Sequence, residues 1–169
     1  MKLTLWQRMD IVARQMTPAL LTLLAVMVTM LPLRLPDFGP VAPWLALISV
    51  YYWSVHRPDL LPAAAVFAIG LFSELAAGTP LGVTTLVLLL MHTAAVSQRR
   101  FFISRSFMVV WCGFATMALA ASLLVWFMNM ALGGVVMSPR PLVFQFMTTV
   151  AAYPLFAWCF AQVQRLIQR

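Results

Sequence analysis

The chain has 169 residues, 63% of them hydrophobic and 9% charged, with a formal net charge of +7 and a mean hydropathy of +0.95. Soluble domains carry roughly 25% charged residues, so this composition excludes a water-soluble globular protein. It predicts an all-α integral membrane protein, a six-helix transmembrane bundle in one polytopic domain, with spans of around 20 residues and no room for a separate aqueous domain.

Lys2, Arg8 and Arg14 precede an apolar run, as in a secretory signal. However, Leu31-Pro32-Leu33-Arg34 offers no small-x-small cleavage site and five further apolar runs follow, so the run reads as a first span over about 18–33. Leu5, Met9, Val12 and Met16 fall at helical spacing, with Trp6 suited to headgroup depth. Residues 1–16 therefore form an interfacial helix or simply extend the first span. Leu35-Pro36-Asp37-Phe38-Gly39-Pro40 then breaks the helix.

The second span, about 40–55, is short. The 13 apolar residues from Pro43 to Val55 reach only about 20 Å at 1.5 Å each. Either the Gly39–Ala42 stretch contributes, or the segment is re-entrant, or protein shields it. His56-Arg57-Pro58-Asp59 makes a polar turn in which Asp59 is placed to cap the next helix. The third and fourth spans, about 60–77 and 81–97, are joined by Gly78-Thr79-Pro80, too short for anything but antiparallel neighbours. A basic amphipathic connection runs from Gln98 to Arg105. The fifth span covers about 106–132, and after a loop from Gly133 to Pro141 the sixth covers about 142–163.

Basic residues mark the cytoplasmic side. With the amino terminus inside, Lys2, Arg8, Arg14, Arg57, Arg99, Arg100, Arg105, Arg165 and Arg169 fall inside and only Arg34 and Arg140 outside, nine of the 11 Lys and Arg residues against two. Both termini are thus expected in the cytoplasm, and the net charge is explained by topology and attraction to lipid headgroups, with no nucleic-acid motif to compete.

Glu74 stands out inside an apolar run. A carboxylate at bilayer depth costs about 2.5–3.5 kcal/mol on insertion scales, so it persists when paired, neutralised, near the interface or functional. The rest of the catalytic inventory is thin. The other acidic residues, Asp10, Asp37 and Asp59, are expected at different depths and sides, so paired-carboxylate chemistry lacks a partner. Cys112 and Cys159 lie in different spans without metal-ligand spacing and read as small apolar fillers. His92, alone in its span, reads as a hydrogen-bonded packing residue. The stripe Ala64, Ala68, Phe72 and the pair Ala118/Ser122 would allow close helix approach. No catalytic residue, metal site or cofactor is expected.

The succession of Leu35-Pro36-Asp37-Phe38-Gly39-Pro40-Val41-Ala42-Pro43, Tyr52-Trp53 leading into His56-Arg57-Pro58-Asp59, Gly70 to Gly82 with its acidic residue ahead of Pro80-Leu81-Gly82, and Gln98-Arg99-Arg100-Phe101-Phe102 resembles the rod shape-determining protein MreD family. The likeness covers about residues 18–105 by motif and the whole chain by length and span number. Family members more often carry Asp where this chain has Glu74.

The resemblance implies a non-enzymatic scaffold in the bacterial inner membrane. It would bind MreC and connect MreB filaments to the RodA glycosyltransferase and its elongation-specific transpeptidase partner, which build the lateral peptidoglycan. It also implies a fold similar to the substrate-binding subunits of energy-coupling-factor vitamin transporters, and such a transport role is the alternative function. Under this reading Glu74, Gly78, Pro80 and Gly82 shape the end of the third and fourth helices. His56, Arg57, Pro58, Asp59, Arg99 and Arg100 face the cytoplasm, and Asp37 faces outward toward an MreC-like partner.

Overall fold

The computed structural model describes residues 18–29, 42–103, 105–133 and 139–167. The expected interfacial helix, Arg34, Asp37 and the proline-rich break after the first run lie outside the described residues. The described chain is all-helical: α1 (Pro18–Thr29), α2 (Leu45–His56), a 3-10 turn (Pro58–Leu60), α3 (Ala63–Ala77), α4 (Val83–Ile103), α5 (Phe107–Gly133) and α6 (Arg140–Ile167). Helices α5 and α6 are long and apolar enough to cross a membrane, and α1 and α3 are shorter apolar helices.

Helix α2 is the centre of the bundle. Every residue from Leu45 to Val55 is buried, so a 12-residue helix only about 18 Å long is enclosed by protein all round. Of the ways to reconcile its length with a bilayer, shielding is the one observed. A helix that is apolar on every side has no solvent face to present, which is why it occupies the core.

Several of its polar groups are met by three other helices, whereas Ser49 Oγ and Trp53 Nε1 are buried without a hydrogen-bond partner among the described residues. The Tyr51 hydroxyl donates to the Val110 carbonyl of α5 (3.1 Å), and Tyr52 donates to Gln164 Oε1 of α6 (3.1 Å). The backbone N–H of Trp44, just ahead of α2, donates to Thr149 Oγ1 of α6 (2.9 Å). His92 Nδ1 of α4 lies 2.7 Å from Ser54 Oγ. Because that hydroxyl already donates its one proton to the Val50 carbonyl, the ring N–H is the donor. Tyr51, Phe114 and Tyr153 pack into one aromatic cluster, in which Phe114 and Tyr153 stack with ring centroids 4.3 Å apart and Tyr51 meets them tilted and edge-on.

Proline within α6 explains another cross-helix bond. Pro154 has no N–H for the Val150 carbonyl four residues earlier, and Trp111 Nε1 of α5 donates to that carbonyl at 3.0 Å. Trp111→Phe is expected to destabilise the bundle by about 1–2 kcal/mol, the cost of leaving the half-buried Val150 carbonyl unmet. Adding Pro154→Ala, which supplies an intrahelical N–H, should recover most of that loss. Thermal unfolding of the single and double variants in detergent checks the coupling; strictly additive losses would show that the bond does not matter.

Four expectations need correction. Asp59 does not cap α3: the N-cap is Pro62, with no side-chain cap hydrogen bond. Pro58 starts a separate 3-10 turn with Asp59 in its first turn, and fully buried Leu61 anchors the chain before α3 begins. Helix α4 continues through Gln98, Arg99 and Arg100 to Ile103, because these are good helix formers and a helix C-terminus favours basic residues. Cys112 and Cys159 are exposed on α5 and α6, so they fill no core; a small polarizable thiol suits an outer face turned to lipid equally well. Ala118 and Ser122 are buried, as their spacing suggests, whereas Ala64 and Ala68 are exposed. The close approach of α3 is made by Gly70 instead.

Candidate functional site

The sequence candidates fall at two opposite ends of the bundle. At one end, α3 closes with Gly78 in the left-handed region (φ 65°), its N–H bonded to the Glu74 carbonyl, to which the Thr79 N–H also donates (3.2 Å). Gly82, with φ 99°, turns the chain into α4. Both positions disfavour any side chain by their backbone conformation, whatever the space around them.

Into this turn points the Glu74 side chain, 1% exposed. Oε2 accepts from the Gly82 N–H (2.8 Å) and the Thr85 hydroxyl (2.9 Å), and Oε1 accepts from the Thr85 N–H (2.8 Å). The first N–H groups of a helix have no intrahelical acceptor, and the dipole there favours a negative charge. Helix α4 has no acidic residue in its own first turn, so α3 supplies one. Glu74 is thereby compensated within the chain, and both oxygens are occupied. Its influence on any partner must pass through the exposed turn that it fixes, flanked by Leu75 (66% exposed) and Leu81 (65% exposed). Pro80 lies in that turn, also exposed.

Packing reinforces the same joint. A Cβ on Gly70 would stand 2.7 Å from Thr85 Cα and 2.9 Å from its Oγ1, so α3 and α4 touch backbone to backbone one turn from Glu74. Thr85 carries no signal of its own in the sequence, and Gly70 appears there only as the first residue of the Gly70–Gly82 motif. The short Gly78-Thr79-Pro80 connection was the available signal, since an antiparallel pair hinged there sets the start of α4 against the last turns of α3.

At the other end lie His56, Arg57, Pro58 and Asp59, where α2 finishes. Arg99 and Arg100 lie near the end of α4, and Arg105 stands just before α5. The Tyr52–Gln164 bond brings the end of α6 there too, and Arg165 acts electrostatically on Tyr52. The His56 ring stacks on Tyr52 with centroids 4.3 Å apart. Among the described arginines Arg140, at the start of α6, stands apart at the opposite end. The structure therefore gathers His56, Arg57, Asp59, Arg99 and Arg100 at one end and Glu74, Gly78, Pro80 and Gly82 at the other. Asp37 falls outside the described residues.

Two helices long and apolar enough to cross a membrane, with a buried carboxylate used as an internal clamp and a basic pole, define the class of this chain as a helical membrane protein. It belongs to the MreD family: the family model described as rod shape-determining protein MreD matches residues 9–166, which assigns the chain a role in rod shape determination. No curated protein and no solved structure matches it.

Proposed function

We propose that this protein is a non-enzymatic scaffold of the cell-elongation complex in the bacterial inner membrane. In this reading it crosses the bilayer six times with both termini inside, in a fold similar to the substrate-binding subunits of energy-coupling-factor transporters. It binds MreC, and it links MreB filaments to lateral peptidoglycan synthesis by RodA and its transpeptidase partner. The observation that carries the reading is the family match over nearly the whole chain.

The distribution of chemistry supports it. The basic pole is suited to the cytoplasmic face by the positive-inside rule and would present the His56–Asp59 turn, Arg99 and Arg100 on the side where filaments lie. The turn held by Glu74 would then face outward, toward the aqueous part of MreC.

Cross-linking in native membranes followed by purification of a tagged copy tests this directly. Recovery of MreC and wall synthases, with rounding of rod cells on depletion, is the expected result. Recovery of paired ATPases and a coupling subunit, with rods unchanged, would instead make the chain a vitamin-transport component.

A further inference from the structure

A cavity of about 650 Å³ opens at the basic pole between α2, α5 and α6, within the size range of small-ligand sites. Its lining is divided by chemistry. Tyr52, His56, Arg105 and Gln164 stand at the helix ends, while Val110, Pro154, Ala157 and Ala161 form the apolar part. Pro154, Ala157 and Ala161 recur at i, i+3 and i+7, so one stripe of α6 is small and leaves the groove open. Phe107 (52% exposed) and Trp158 (63% exposed) flank it on the outer surface.

The polar end is built for an anion. Arg105 is braced by its own cation–π contact, 5.0 Å from the Phe101 ring centroid. The Gln164 carbonyl is engaged by the Tyr52 hydroxyl, so the remaining function of that amide is to donate. His56 Nδ1 donates to the Tyr52 carbonyl at 3.0 Å, so its neutral ring lends the cavity no donor, and the positive charge comes from Arg105, with Arg165 adding potential at Tyr52. No acidic side chain is among the lining residues. A soluble anion would use the donors and leave the apolar stripe uncovered, whereas a lipid satisfies both.

We propose that this cavity binds an anionic phospholipid, its phosphate on Arg105 and Gln164 and one acyl chain along the Pro154–Ala161 stripe. The proposal requires only that the chain sits in a bilayer and is independent of its partners in wall synthesis.

The test is a native mass-spectrometric titration of the full chain in mild detergent with dioleoylphosphatidylglycerol and dioleoylphosphatidylcholine, with thermal unfolding as a check on each variant. The glycerol lipid is expected to bind at one saturable site at least about fivefold tighter than the choline lipid, as one charge-assisted contact would give. Arg105→Gln should abolish that preference, Arg105→Lys should retain much of it, and Ala161→Phe should block binding without altering charge. Equal affinity for the two lipids would overturn the proposal. So would an equal loss from Arg99→Gln, which lies outside the cavity and would reveal diffuse attraction. Displacement by millimolar inorganic phosphate would make this a soluble-anion site instead. Should Arg105→Gln fail to fold, the lipid preference, Ala161→Phe and the phosphate competition still decide.

Discussion

Glu74→Leu is expected to lower stability by roughly 3 kcal/mol, read as a drop of about 6–12 °C in melting temperature for a chain of this size. Leucine roughly fills the space but accepts nothing, so the Gly82 and Thr85 N–H groups lose the acceptor that they now share at 2.8 Å each. Each such loss costs about 1–3 kcal/mol in a buried setting. The Thr85 hydroxyl is less costly to orphan, since threonine in a helix can turn back to the carbonyl of residue i−4. Removing the charge also spares the desolvation of a buried carboxylate, but that cost is already met in the native state by three donors and the start of α4, so the orphaned donors decide the sign. Glu74→Gln should cost less, about 1–2 kcal/mol, because one oxygen remains to accept while the new amide NH2 faces a donor. Thermal unfolding in detergent ranks the variants. Wild-type stability for both would remove Glu74 from any structural role, and a loss of MreC binding in a well-folded Glu74→Gln would assign the turn to the partner surface.

The parts of this architecture written in local chemistry were legible in the sequence. Prolines and glycines punctuate the chain, so the Gly78-Thr79-Pro80 hinge and the turn after His56 could be placed, and simple length arithmetic exposed the second helix as too short for an ordinary span. What that shortness meant was a tertiary matter: only neighbouring helices could show that Leu45 to Val55 is enclosed. Glu74 was conspicuous by its cost, but its partner Thr85 stands 11 residues away and depends on the packing of two helices. The Asp59 cap failed for a local reason that competed with another local reason. A capping residue close upstream of an apolar run is a good signal, yet Pro58 claimed it for a 3-10 turn first. Tyr52, Gln164 and Arg105 come together only through the packing of α2, α5 and α6, and no spacing rule joins residues 52, 105 and 164.

Gly70→Ala puts the α3–α4 joint to the test in the direction opposite to intrinsic propensity. In an isolated helix alanine is better than glycine by about 1 kcal/mol, so a position free of contacts would gain from the change. Here the new methyl would stand 2.7 Å from Thr85 Cα, and the obstacle is backbone, which no rotamer change can remove. Trimming Thr85 relieves the 2.9 Å contact with Oγ1 but not the one with Cα. The helices must therefore move apart, and overpacking of this kind costs about 1–3 kcal/mol or more. The separation also carries Thr85 away from Glu74, so part of the hydrogen-bond loss is incurred at once, and a net destabilisation of roughly 2–4 kcal/mol is expected. The consequence that distinguishes this joint from two independent contacts is non-additivity. With α4 already displaced, Glu74→Leu has less left to lose, and the double variant should be more stable than the sum of the singles predicts by about 1 kcal/mol or more. A stabilising Gly70→Ala, or losses that simply add, would mean that the helix contact and the carboxylate clamp act separately and that the exposed turn between them is held by the glycines alone.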